Sequence, residues 1–212
     1  MAVVAPCITA KDTDTYNVQM NRVAGFAKRL HIDLADGVFA PNKLIELDKI
    51  WWPIGVQADL HLMYQSVVPH MKQLLAHKPH MVIVQAEASG NFFVIAERLH
   101  KFGIKVGVAL LADTSVDVIK PALGSIDHVL IFSGDLGYFG GHAKLSLLQK
   151  ATEIRRLAPH VEIGWDGGVS PENAAKLVLG GVDVLNAGGA IQNAKDAKDA
   201  YATLVSNMKA GL

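Results

Sequence analysis

Short apolar runs alternate with longer amphipathic stretches from one end of the chain to the other. The short runs are Val3–Cys7, Leu30–Leu34, Gln57–Met63, Met81–Gln85, Lys105–Leu110, His128–Phe132, Glu162–Trp165 and Val184–Ala187. They are rich in Val, Ile and Leu, as strands buried on both faces should be. Between them, apolar positions recur at helical spacing near Tyr16–Lys28, Val68–His77, Phe92–Phe102, Val116–Leu123, Leu145–Leu157, Asn173–Leu179 and Ala197–Met208, with a weaker pattern over Lys43–Ile50. Ser170-Pro171-Glu172-Asn173 offers an N-cap serine, a proline at the first helical position and an early acid, and so predicts a helix start. Gly103 after Phe102 and Gly180-Gly181 after Leu179 suit the left-handed conformation that ends helices. Eight strand-helix units predict an α/β fold, a single (β/α)8 TIM barrel over residues 1–212. An open doubly wound sheet is the competing architecture, because periodicity does not reveal closure. No linker, low-complexity tract or short repeat divides the chain.

Composition narrows the function classes. With 212 residues the chain has the length to bury a core without staples. Twenty basic residues balance twenty acidic ones with no long run of either sign, which argues against a general nucleic-acid or membrane-surface binder. The lone Cys7 excludes an intrachain disulfide and fits a reducing compartment. The N-terminus has no basic segment and only a short apolar run, and no stretch reaches spanning length, so a cytoplasmic location is expected.

In such a barrel the chemistry sits at the C-terminal ends of the strands. The second strand carries His31 and Asp33 on one face, the third carries Asp59, His61 and Met63 together, and the seventh ends in Asp166-Gly167-Gly168. Two imidazoles and two carboxylates from three strands make a plausible site for one divalent ion, zinc or a similar first-row metal. Taken singly, each histidine has a more ordinary reading as a hydrogen-bonded or surface residue; the coincidence of four ligand types at strand ends carries the expectation. Gly140-Gly141, Gly167-Gly168 and Gly188-Gly189 follow the sixth, seventh and eighth strands. One glycine pair makes a tight turn; three on neighbouring loops suit a phosphate approached by backbone N–H groups.

These same residues resemble a known family. Val4-Ala5-Pro6-Cys7, the run His31-Ile32-Asp33-Leu34-Ala35-Asp36-Gly37-Val38-Phe39-Ala40-Pro41-Asn42, Asp59-Leu60-His61-Leu62-Met63, Glu87-Ala88-Ser89, Asp166–Asn173 and Ala187–Ile191 are similar, in order, to the pentulose-phosphate 3-epimerase family. The resemblance implies a (β/α)8 barrel whose metal is held by His31, Asp33, His61 and Asp166, with Asp33 and Asp166 as the proton-transfer residues. The ligand set suits Zn first, and also Fe, Mn or Co; the resemblance implies a small sugar phosphate as substrate and a homo-oligomer. Phosphate is expected at Gly140, Gly141, Gly168, Gly188 and Gly189, and Cys7, Met63 and Gln85 are expected in the substrate pocket.

The chain also departs from the family's pattern. Cys7 replaces a serine, Ala35 replaces a methionine of the cap, and Phe132 stands where another methionine is expected. Gln85 replaces a histidine and Gly189 a serine, and the sixth loop reads Ser133–His142 in place of an Asn-Pro-Gly-Phe-Gly-Gly-Gln run. None of these removes a ligand. The leading expectation is interconversion of D-ribulose 5-phosphate and D-xylulose 5-phosphate. The alternatives are the same chemistry on another ketose phosphate, such as allulose 6-phosphate, and a non-catalytic sugar-phosphate-binding barrel. Related aldol and decarboxylase barrels rank low, because Asp59-Leu60-His61 lacks their lysine.

Overall fold

The computed structural model describes residues 2–138 and 140–209; Met1, Phe139 of the sixth loop and the last three residues lie outside them. Eight parallel strands run in sequence order: β1 (Val3–Ile8), β2 (Arg29–Ala35), β3 (Gln57–Met63), β4 (Met81–Gln85), β5 (Lys105–Leu110), β6 (His128–Phe132), β7 (Glu162–Asp166) and β8 (Val184–Ala187). β8 pairs with β1 from Val3↔Val184 to Pro6↔Ala187, so the sheet closes and the open doubly wound alternative falls. Five strands have the limits read from the sequence, and the other three gain one or two residues at their ends.

Strand alternation separates two environments. Val4, Ile8, Leu30, Ile32, Leu34, Leu60, Leu62, Val82 and Val84 belong to the main core, between barrel and helices. The alternate residues enter the barrel. There Met81, Ile83, Ala109 and Leu130 form a small apolar cluster of their own, while His31, Asp33, Asp59, His61, Gln85, Asp166 and Asn186 are all buried polar groups.

Helices α1 (Thr13–Val23), α2 (Met71–His77), α3 (Phe92–His100), α4 (Leu148–Leu157), α5 (Ala174–Leu179), α6 (Gly189–Gln192) and α7 (Ala197–Lys209) supply the outer layer. Several differ from the periodic reading for local reasons. The Asp12 side chain accepts from the Thr15 N–H, so α1 starts three residues before Tyr16, and it ends well before Lys28. Over Lys43–Ile50 only Leu47–Lys49 coils, as one 3-10 turn. Lys43 is bridged to Asp36, and the Leu44 and Ile45 N–H groups donate to the Ala35 and Ala10 carbonyls, which holds the chain extended there. The Val116–Leu123 pattern becomes a 3-10 stretch, Val116–Ser125, containing Pro121, which lacks the N–H an α-helix needs. α5 begins at Ala174 because Asn173 is turned back onto the preceding loop. Among the described residues no helix is long and apolar enough to cross a membrane.

The end of the barrel opposite the strand C-termini is closed by charge. Arg29 Nε lies 2.6 Å from Asp59 Oδ2, and its two terminal nitrogens donate to Glu162 at 2.8 and 2.6 Å. His80 and His128 hold the same two carboxylates, each at 2.8 Å. Trp51 packs beside α1, its indole N–H donating to Asn17 and its carbonyl accepting from Tyr16.

Candidate active site and metal centre

Closure of the barrel brings β2, β3 and β7 together at their C-terminal ends. His31, Asp33, His61 and Asp166 are all buried there, and one ligand atom from each lies within 4.8 Å of the others. His61 Nδ1 is 2.9 Å from Asp33 Oδ1 and 3.8 Å from Asp166 Oδ2; His31 Nε2 is 3.3 and 3.5 Å from the same two oxygens. Two buried carboxylates aimed at one point require positive charge between them. Burial alone would push the His31 imidazole down, but the Asp166 and Asp33 carboxylates beside it override this and lift the pKa to about 10. Burial would likewise raise Asp33, yet His31 and His61 outweigh it and hold the carboxyl well below its ordinary range. The donor set, two imidazoles and two carboxylates in a buried pocket, fits a divalent first-row ion such as zinc.

The surrounding residues fix these ligands. Thr9 Oγ1 donates to Asp33 Oδ2 at 2.6 Å. Thr9 is itself clamped by Gln19, which accepts from its N–H at 2.8 Å and donates to its carbonyl at 3.1 Å. Gln85 sits behind His61, its Nε2 2.8 Å from His61 Nε2, while its Oε1 is buried without a partner among the described residues. Amide N and O are interchangeable by rotation and are assigned by the network they serve. Turning the Gln85 amide lets Oε1 accept from a His61 Nε2–H and leaves the Nδ1 lone pair facing the carboxylates, the tautomer a metal ligand needs.

Above the quartet lies a cleft of about 460 Å³, lined by Cys7, Met63, Asp33 and Asp166 and by Gly140, Gly141, Gly168, Gly188 and Gly189. The five glycines singled out in the sequence thus face one space. Gln85 is absent from that lining and contacts His61 instead. Ala35 packs with Met63, Ala40 and Leu44 beneath the rim. Phe132 lines the cleft where a methionine was expected. The Cys7 thiol is buried and pushed well up in pKa, first by burial and then by Asp166 and Asp33, so it stays neutral.

Two glycines are required by close packing of the sixth and seventh loops. A Cβ on Gly167 would lie 2.2 Å from the Gly134 nitrogen, and one on Gly168 2.1 Å from the Ala143 nitrogen. Their φ angles of +107° and +70° add a second reason. Asn173 finishes the loop, its Oδ1 accepting from the Ser170 N–H and its Nδ2 donating to the Gly168 carbonyl.

Sequence reasoning missed Thr9 and Asn186. Thr9 lies two residues beyond Cys7, and the alternation of β1 was the signal that pointed to it. Asn186 was visible as one polar residue in an apolar strand.

The model of the ribulose-phosphate 3 epimerase family matches residues 3–192. A ribulose-phosphate 3-epimerase of Bacillus subtilis is 29% identical over 213 residues, covering 96% of this chain and 98% of that protein. One from Helicobacter pylori is 30% identical over 203 residues, covering 92% and 93%. The barrel superposes on 3-hexulose-6-phosphate synthase from Salmonella typhimurium with a TM-score of 0.72 at 14% identity, covering 99% of this chain and 100% of that one, a likeness of fold alone. With a matching model over nearly its whole length, and relatives that carry an isomerase name, the chain belongs to the ribulose-phosphate 3-epimerase family.

Proposed function

We propose that this protein is a metal-dependent epimerase interconverting D-ribulose 5-phosphate and D-xylulose 5-phosphate by proton transfer at C3. The observation that carries the reading is the His31, Asp33, His61 and Asp166 quartet beneath a cleft rimmed by glycine loops. The metal is zinc in the first instance, with iron, manganese and cobalt suited to the same ligands. A bound divalent ion supplies Lewis-acid stabilisation of the negative charge that develops at the ketone oxygen.

The chain's own groups do the rest. The C3 hydrogen is acidic because it lies alpha to the C2 ketone. When it leaves as a proton, its electron pair delocalises to the C2 oxygen and an enediolate forms. Inversion then needs a second acid on the opposite face. Asp33 and Asp166 stand on separate strands facing one cleft, and we assign one to each face of the substrate plane. Thr9 holds Asp33 in place. The neutral Cys7 thiol does not compete as a base, and Met63 and Phe132 give the cleft apolar walls that limit water. The phosphate is assigned to the backbone around Gly140, Gly141, Gly168, Gly188 and Gly189. The setting is cytoplasmic.

Ala35, smaller than the methionine expected in the cap, packs with Met63, Ala40 and Leu44, and the five-carbon substrate is favoured by relatives named for ribulose phosphate. The test compares turnover of the five- and six-carbon ketose phosphates by metal-loaded and chelator-stripped protein. Faster turnover of ribulose 5-phosphate, lost on stripping and restored by zinc, is expected. Binding of both without turnover of either would leave a sugar-phosphate-binding barrel instead.

A further inference from the structure

We propose that Asn186 is a substrate-positioning residue whose amide hydrogen-bonds a hydroxyl group of the sugar phosphate; this rests on the reading of the cleft given above. Asn186 lies on β8, in register with Asp166 on one side and Ala5 on the other, and its side chain shares the cleft lining with Cys7, Asp33 and Asp166. It is 2% exposed, and neither Nδ2 nor Oδ1 has a hydrogen-bond partner among the described residues. Its neighbours along the strand, Val184, Leu185 and Ala187, are apolar, as a buried barrel strand requires. A buried amide with both ends unmade is costly, and valine would suit the strand better. The amide is therefore explained by a ligand that satisfies it.

The chemistry of that ligand follows from the two unmade ends. The amide offers N–H donors and carbonyl lone pairs at one place, so its natural complement both donates and accepts. A hydroxyl does this, whereas a phosphate dianion offers acceptors only and would lie beside the Asp166 carboxylate. The glycine loops thus take the phosphate, and Asn186 takes a hydroxyl nearer the metal ligands. Removing one such hydrogen bond weakens binding by about tenfold.

The experiment is an equilibrium titration of metal-loaded wild type and Asn186→Val with the equilibrated pentulose 5-phosphates, their 1-, 3- and 4-deoxy analogues, and inorganic phosphate, together with a thermal melt of each protein without ligand. We expect the pentulose phosphates to bind Asn186→Val about tenfold more weakly, and inorganic phosphate to bind both proteins equally. One deoxy analogue, lacking the hydroxyl concerned, should bind both proteins alike, and the ligand-free variant should melt no lower than wild type. Equal binding of the pentulose phosphates by both proteins overturns the assignment of Asn186 and leaves the epimerase reading intact. So does an equal loss across all three deoxy analogues, which a merely structural role predicts. A wild type that binds inorganic phosphate but no pentulose phosphate overturns both.

Discussion

Replacing Arg29 by methionine separates what holds this barrel together from what makes it reactive. The Arg29 guanidinium makes three hydrogen bonds of 2.6–2.8 Å to Asp59 and Glu162, and the Arg29 and Asp59 side chains are 9% and 2% exposed. Methionine keeps the aliphatic stem and leaves two carboxylates without their main counter-charge. Breaking a buried pair in this way costs about 3–5 kcal/mol; the low end applies, because Glu162 is 34% exposed and water compensates it in part. For a chain of this size about 3 kcal/mol lowers the melting temperature by roughly 6–12 °C. The cost depends on pH. Burial opposes ionisation of Glu162 and Asp59, but Arg29, His128 and His80 outweigh it and depress both carboxyls. Their stabilisation is present above the ordinary values of 4.5 and 3.8 and is lost as pH falls below them, so the gap between variant and wild type narrows in acid. Arg29 lies four residues before Asp33, roughly 13 Å along the strand, so turnover per folded molecule should change little. Melting followed by circular dichroism from pH 3.5 to 8 reads the effect. A shift below about 1 kcal/mol at pH 7, the scale of an exposed pair, would refute the reasoning.

Two further substitutions probe the other end of the barrel. Gln85→Leu removes the acceptor that sets the His61 tautomer, and should weaken metal affinity by about 10- to 100-fold in chelator competition while the fold persists; unchanged affinity would show that Gln85 does not orient the ligand. Gly168→Ala forces a side chain into the Ala143 backbone at a positive φ, so it should distort the cleft and raise the dissociation constant for inorganic phosphate. Calorimetric titration showing wild-type phosphate affinity would remove Gly168 from the proposed phosphate site.

The strands were legible because each is a short Val/Ile/Leu run, and the quartet was legible because alternation alone puts His31 beside Asp33 on one face. What the sequence did not carry was contact between distant elements. The Arg29–Glu162 pair joins residues 133 apart, and no local pattern announces it. Gly164 reads as a weak point in β7, yet a Cβ there would stand 2.4 Å from His128 Nε2, so its role depends on a neighbouring strand. Gln85 was expected in the substrate pocket, and only closure shows that it meets His61 rather than the cleft. Helix limits failed where side chains took part in loops: Asn173 serves Ser170 and Gly168, and Asp12 caps α1. The four-residue α6 is shorter than two turns and has no period to detect.

The role proposed for Asp33 and Asp166 is that one removes the C3 proton and the other returns a proton to the opposite face, in a metal-loaded site. It is tested most directly by incubating ribulose 5-phosphate with zinc-loaded wild type, Asp33→Asn and Asp166→Asn in deuterated water. The C3 proton and the xylulose 5-phosphate product are then followed by NMR. Wild type is expected to replace the C3 proton with deuterium as product accumulates, and each variant, folded by circular dichroism, to lose product formation by at least about a hundredfold. A zinc-loaded wild type that leaves the C3 proton in place, or an asparagine variant that epimerises at the wild-type rate, would contradict this role.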